Sequence, residues 1–155
     1  MVKINKNDWH VIVSGKTDTA KVFDATGKLL RSFNAFPHGV NGPATNVVGG
    51  DTVPGTYRYG AVTWTHDSDS VDLVKRPYGR VFIAMEDIEG VEAHVGRAGI
   101  GSHGGGLWDD FWENEQKLVW TMGCIRLANK DAVWLGHAVE ARRAFGGSIY
   151  VTVSQ

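Results

Sequence analysis

The stretch Thr121-Met122-Gly123-Cys124-Ile125-Arg126-Leu127, followed one residue later by Asn129-Lys130-Asp131-Ala132-Val133-Trp134-Leu135, joins a glycine-framed thiol to the start of a helix. Cys124 is the only cysteine of the 155-residue chain. A thiol becomes a useful nucleophile when a base takes its proton. Histidine titrates near neutrality and can be that base. A second glycine-framed segment lies upstream, Gly99-Ile100-Gly101-Ser102-His103-Gly104-Gly105-Gly106, with His103 21 residues before Cys124. Glycines leave backbone N–H groups open and allow close approach of a substrate. The two segments read as one site, with Cys124 as nucleophile and His103 as base. Gly123 and Cys124 are the expected backbone donors to an oxyanion.

Working outward, Asn129 suits a helix N-cap, Asp131 the first turn, and Arg142 and Arg143 the last. Trp134, Ala138, Ala141 and Phe145 follow helical spacing, and Gly146-Gly147 can stop the helix. Residues 148–153 then alternate as a closing strand. Upstream, strands are expected at 9–13, 21–23, 29–33, 56–65, 81–85 and 91–95, with turn chemistry at Gly15-Lys16-Thr17-Asp18 and Asp24-Ala25-Thr26-Gly27. Residues 36–51, with Pro37 and Pro43, lack periodicity and read as a loop. A shorter helix is expected over 107–114. The fold class is mainly β, a β-rich α+β arrangement with one main helix after the cysteine.

Composition bounds the function. The length suits one domain spanning residues 1–155. Hydrophobic content of 43% and charged content of 21% are those of an ordinary globular chain. A net charge of −1 without a basic stripe argues against nucleic acid as the main partner. Twenty glycines, against a usual share of about 7%, favour a turn-rich β architecture. One cysteine cannot form an intramolecular disulfide, so the redox compartment stays open. No run approaches the roughly 20 apolar residues of a membrane span. The opening Met1-Val2-Lys3-Ile4-Asn5-Lys6-Asn7-Asp8 has no apolar leader region. The expectation is therefore a removed signal or a route that needs none, such as a phage lysis or virion protein or an injected effector.

His-Gly, then 17 residues from Gly104 through Trp120, then Thr-x-Gly-Cys-x-Arg resembles the catalytic signature of the L,D-transpeptidases, the YkuD-type domain. Pro54-Gly55-Thr56-Tyr57-Arg58-Tyr59 is similar to the family's upstream Thr-Pro-x-Gly-x-aromatic stretch. Asp131-Ala132-Val133-Trp134-Leu135 is similar to the helix that follows its cysteine. The likeness runs from about Trp9 to the C-terminus. It implies a YkuD-like mixed β-sandwich acting on peptidoglycan stem peptides. The chemistry would be acyl transfer through Cys124, cleaving after diaminopimelate in a tetrapeptide stem. Water as acceptor gives an L,D-carboxypeptidase, and another stem's amine gives a cross-link. The glycine-rich surround of His103 favours cleavage or exchange over cross-linking. The resemblance also implies that a backbone carbonyl among Gly104 to Gly106 orients His103. Ser102, Thr121 and Arg126 are assigned to substrate binding. Arg126 has two readings, a bidentate carboxylate clamp or a brace on backbone carbonyls. Thr121 is also expected to hydrogen-bond within its own turn.

Two departures from the family pattern stand out: Met122 where many members have histidine, and Gly105 where many have threonine after His-Gly. Trp108-Asp109-Asp110-Phe111-Trp112-Glu113 reads either as a lid over the site or as a solvated amphipathic helix. Other signals fail. Gly99-x-Gly101-x-x-Gly104 matches the dinucleotide fingerprint, but Gly105-Gly106 make a helix start there improbable. His94, His103 and Cys124 are a formal zinc set without supporting spacing, so no metal or cofactor is expected. The protein is expected to be a monomer acting in the periplasm or wall. The readings from other classes are a non-catalytic murein-binding or virion component, and a wall-damaging effector or lysis protein using the same chemistry.

Overall fold

Val11 and Val13, Ala20 and Val22, Val81 and Ile83, and Val151 and Val153 alternate along their strands with residues that face outward, and all eight are buried. That period of two builds a sheet with one apolar face. In the computed structural model, which describes residues 5–155, the sheet has eight strands. They are β1 (Trp9–Ser14), β2 (Thr19–Phe23), β3 (Leu29–Phe36), β4 (Gly55–Trp64), β5 (Val81–Glu86), β6 (Gly101–His103), β7 (Ile125–Leu127) and β8 (Ile149–Ser154). The first half of the N-terminal segment read above for a leader lies outside the described residues.

The mainly-β class stands, but the expected two-sheet sandwich is one closed barrel, in the order β1-β2-β3-β7-β6-β5-β4-β8. Closure comes from β8. It lies parallel to β1 and antiparallel to β4, so that Val151 pairs with Val11 on one side and Tyr57 on the other. β6 and β7 form the second parallel pair. This pair places the His103 and Cys124 segments side by side.

Helices are few. A π-helical turn (Val71–Lys75) runs into α1 (Arg76–Tyr78), α2 is Val91–His94, and α3 is Asn129–Ala144. The strand expected at 91–95 is therefore a helical turn. Gly90 takes a left-handed conformation (φ 74°), and both carboxylate oxygens of Asp87 accept the N–H groups of Val91 and Glu92. That capping outweighs the β preference of valine. The helix expected over 107–114 is a run of turns instead. Its carbonyls go to side chains: Asn129 Nδ2 takes those of Phe111 and Glu113, and Arg80 takes that of Trp112.

α3 begins where expected, but Ala128 is its N-cap and Asn129 is its first residue. Its buried stripe runs Ala132, Leu135, Ala138 and Val139, against β4, β5 and β6. Trp134 sits at the edge, stacked on Trp9 at 6.2 Å, and Phe145 is exposed. Gly146 (φ 78°) ends the helix, with Gly147 N–H donating to the Arg142 carbonyl.

Candidate active site

Parallel pairing sets Ser102 beside Ile125 and His103 beside Arg126. Residues two apart on a strand share a face. One register step back, Gly101 meets Cys124, and its N–H points at Cys124 Sγ at 3.4 Å. Gly101, His103, Cys124 and Arg126 thus occupy one face, while Ser102 and Ile125 take the other. Ser102 is fully buried in the barrel, bonded to the Tyr59 hydroxyl at 2.9 Å and directed at Met85 Sδ. The assignment of Ser102 to substrate binding is therefore corrected: strand alternation turns it away from the site.

Cys124 and His103 open onto one cavity of about 700 Å³, whose walls include Tyr78, Phe82, Arg97, Trp120 and Arg126. The imidazole is 2% exposed. Phe82, its register partner on β5, stacks on the ring at 5.7 Å, and Tyr78 meets it edge-on at 5.1 Å. Nδ1 lies 2.8 Å from the Gly104 carbonyl oxygen. A carbonyl can only accept, so Nδ1 carries the proton and Nε2 keeps a basic lone pair. Burial, and then the Arg126 charge, push the His103 pKa down to about 3, against a smaller upward pull from the Gly104 carbonyl. The resting ring is neutral.

The sign of this effect gives a test. His103 titrates lower when folded, so the unfolded chain takes up the proton first as pH drops. Stability from the neutral ring is complete above its ordinary value of 6.5 and is lost as pH falls towards 3. The loss between pH 7 and pH 5 is expected to be about 2 kcal/mol larger in the wild type than in His103→Gln. Denaturant titrations at the two pH values measure it, and equal losses would contradict the buried neutral ring.

Cys124 moves the opposite way. Burial pushes the thiol above its ordinary value, against smaller opposing effects from the Gly101 N–H and Arg126. Among the described residues, Sγ and the imidazole share no hydrogen bond. The site thus holds a neutral thiol and a neutral imidazole on one cavity. Iodoacetamide alkylation of Cys124 should show its inflection above the free-thiol value of about 8.5. An inflection below that value would point to a preformed thiolate–imidazolium pair.

Arg126 is 3% exposed and engages backbone carbonyls. Nε donates to Gly104 at 3.1 Å, Nη1 to Trp120 at 3.0 Å and to Val119 at 3.4 Å, and Nη2 to Pro77 at 2.9 Å. Four of its five N–H donors are so occupied, which leaves no free fork for a substrate carboxylate. Of the two readings of Arg126, these bonds fit the brace on backbone carbonyls, and one carbonyl, that of Gly104, serves both Arg126 and His103. Burial lowers the guanidinium to about 10, so it remains charged at neutral pH.

Thr121 likewise works inside the turn. Its hydroxyl donates to the Cys124 carbonyl at 2.9 Å and accepts the Gly123 N–H at 3.0 Å. That bond occupies one of the two expected oxyanion donors. Among the described residues, the Cys124 N–H has no acceptor. Gly123 sits at φ 119°, and a Cβ there would fall 1.8 Å from Arg97 Nη2. Only glycine fits.

Several supporting residues escape a sequence reading. Arg97 donates to the carbonyls of Thr45, Gly50, Asp51 and Met122, tying loop 37–51 to the cysteine turn. Asn129 accepts the Gly105 N–H, and Gln116 donates to the Gly105 carbonyl. These two residues, both buried, hold the segment after His103. The polar character of Asn129 before a helix is a visible signal, read as a cap. Arg97 and Gln116 carry no such signal. Trp108 and Trp112 face cations, Lys117 over the first and Arg80 over the second, on a segment of turns in place of a helix.

The sequence model of the L,D-transpeptidase catalytic domain (YkuD) matches residues 8–145. The chain belongs to this family. L,D-transpeptidases act on cell-wall peptidoglycan, and the matched residues include His103 and the whole turn around Cys124. No curated protein sequence matches the chain. Among solved structures, Bd1075 of Bdellovibrio bacteriovorus is similar at TM-score 0.65 and 11% identity, covering 98% of this chain and 48% of that one. The helical cell shape determining protein Pgp2 of Campylobacter jejuni is similar at TM-score 0.58 and 15% identity, covering 95% and 47%. An L,D-transpeptidase of Stackebrandtia nassauensis is similar at TM-score 0.56 and 15% identity, covering 99% and 58%. At such identities the likeness is one of fold, and the chain spans about half the length of these proteins. No helix among the described residues is long and apolar enough to cross a membrane.

Proposed function

We propose that the protein is a cysteine acyltransferase acting on peptidoglycan stem peptides, cleaving after diaminopimelate in a tetrapeptide stem. The observation that carries this reading is a thiol and an imidazole opening onto one cavity, with the ring's Nδ1 bonded to the Gly104 carbonyl so that Nε2 is left as the base. In the first half-reaction, Cys124 Sγ attacks the scissile carbonyl carbon while His103 Nε2 takes the thiol proton. Proton transfer accompanies attack, which suits two groups that are both neutral at rest. The oxyanion draws on the Cys124 N–H. The intermediate then collapses, the C–N bond breaks, and the imidazolium returns its proton to the leaving amine. A thioester remains on Cys124. In the second half-reaction, water or an amine attacks the thioester carbonyl while His103 Nε2 takes its proton; the C–S bond then breaks and the imidazolium returns a proton to Cys124 Sγ.

The positive charge of Arg126 opposes protonation of His103, which makes the ring a reluctant base until substrate screens it. Gly104, Gly123 and Thr121 fix the geometry. They are positioning groups in this scheme.

The choice of acceptor needs experiment. The glycines that favoured water entry are packed: Gly104 against Asn129 and Gly105 against the Arg76 carbonyl. Mass spectrometry of early products from disaccharide tetrapeptide, with and without an added D-amino acid, decides it. Tripeptide or exchanged tetrapeptide marks cleavage and exchange, and 3–3 dimers mark cross-linking. Unchanged substrate under all conditions would contradict the acyltransferase reading and favour a murein-binding role.

A further inference from the structure

His38 lies outside the catalytic pair, yet both of its ring nitrogens meet carboxylates. Nε2 is 2.6 Å from Asp18 Oδ1 and Nδ1 is 3.3 Å from Asp51 Oδ2. An ionised carboxylate only accepts hydrogen bonds. Both contacts are satisfied together only when both nitrogens carry protons, that is, as an imidazolium. A neutral ring would turn a lone pair towards one of the two carboxylates.

The placement of this triad ties it to the site. Asp18 sits in the β1–β2 turn at φ 52°, the one non-glycine residue with positive φ among those described. That costly conformation directs its carboxylate at His38. Asp51 ends loop 37–51, and its other oxygen accepts the Gly39 N–H at 2.9 Å. Within the loop, the backbones of His38, Gly39 and Val40 pair with Thr121, the first residue of the cysteine turn. Val40 and Val48 line the cavity of Cys124. Thr52, next to Asp51, donates its hydroxyl to the carbonyls of Gly123 and Cys124. The Phe36 ring closes the remaining side of the imidazole edge-on at 4.7 Å. The charged groups facing His38 are Asp18 and Asp51.

We propose that His38 is a positioning residue for the reaction: as an imidazolium clamped between Asp18 and Asp51, it holds loop 37–51 as one wall of the Cys124 cavity. The catalytic consequence rests on the acyl-transfer reading above, while the clamp itself does not. The two carboxylates raise His38 above its ordinary value, against the opposing effect of its partial burial, which is the largest single influence. A group raised on folding contributes stability below its unfolded value of about 6.5 and loses it as pH rises through its folded value. The wall therefore loosens on the alkaline side.

The test follows the His38 ring by NMR together with amide exchange at Gly39 and Val40 in the full chain, from pH 6 to 9, and kcat and KM on disaccharide tetrapeptide over the same range. His38 should titrate above 6.5. Protection of the two amides, corrected for intrinsic exchange, should fall about tenfold through the same inflection. KM should rise about threefold there with kcat little changed by this step. His38→Gln should show low protection at every pH and no inflection. Asp18→Asn, which leaves the Asp51 contact, should move the inflection down and serves if the first variant fails to fold. Protection that stays constant while His38 titrates, an inflection unmoved in Asp18→Asn, or KM that ignores a fall in protection would each overturn the proposal. Absence of turnover at every pH would be a failure of the acyl-transfer reading, and the exchange profile would still decide the clamp.

Discussion

Cys124→Ala should retain the fold and lose at least about a thousandfold in turnover of disaccharide tetrapeptide, the scale seen when a covalent nucleophile is removed. Retention of the fold is expected because, among the described residues, Sγ takes part in a single long hydrogen bond, from the Gly101 N–H at 3.4 Å. The loss is expected because Cys124 is the chain's only thiol, and the Thr121 hydroxyl in the same cavity is engaged within its own turn. Circular dichroism and a melting curve establish the fold, and product mass spectrometry gives the rate. More than a few per cent of wild-type turnover in a folded alanine variant would remove the nucleophile assignment.

Arg126→Met should cost at least about 3 kcal/mol of stability, because buried carbonyls left without donors each cost about 1–3 kcal/mol. The carbonyls of Gly104, Trp120, Val119 and Pro77 belong to three separate segments, all joined through this one side chain. For a chain of this size the melting temperature should fall by roughly 6–12 °C. Arg126→Lys keeps the charge but offers a point cation in place of a planar fork, and should lose stability to a lesser degree. Activity per folded molecule separates the two roles of this residue. If Arg126→Lys melts like the wild type and loses turnover on the natural stem, the guanidinium reads a carboxylate of the substrate. If stability and activity fall together, it is the brace that its hydrogen bonds describe.

Arg126 also illustrates what the sequence shows and what it hides. That Cys124 and His103 lie close in the fold was legible in two short glycine-framed segments, and both line one cavity. The partners of Arg126 are scattered from Pro77 to Trp120, and no spacing announces them. Ser102 was misplaced for a different reason. No strand was expected at 101–103, and the alternating faces of that three-residue strand send the hydroxyl into the barrel beside Tyr59. The strands with clean alternation were legible, and barrel closure was not, since it depends on β8 finding β1 and β4 more than 90 residues away in the chain. The segments misread as a strand at 91–95 and a helix at 107–114 were decided by single side chains. Asp87 caps the first, and Asn129 draws off the carbonyls of the second.

Burial governs the resting protonation of both groups. Both groups sit where a charge is poorly solvated, and Arg126 adds repulsion against a second positive charge near His103. In the proposed mechanism the thiol proton therefore moves to His103 as Sγ attacks.

The central claim is that Cys124 carries the substrate's acyl group as a thioester. Intact-protein mass spectrometry on acid-quenched mixtures of protein and disaccharide tetrapeptide tests it most directly. The expected result is a single adduct with the mass of the disaccharide tripeptide less one water, located on Cys124, released by hydroxylamine and absent from Cys124→Ala. Turnover without such an adduct in the wild type, or an adduct that persists in Cys124→Ala, would contradict it.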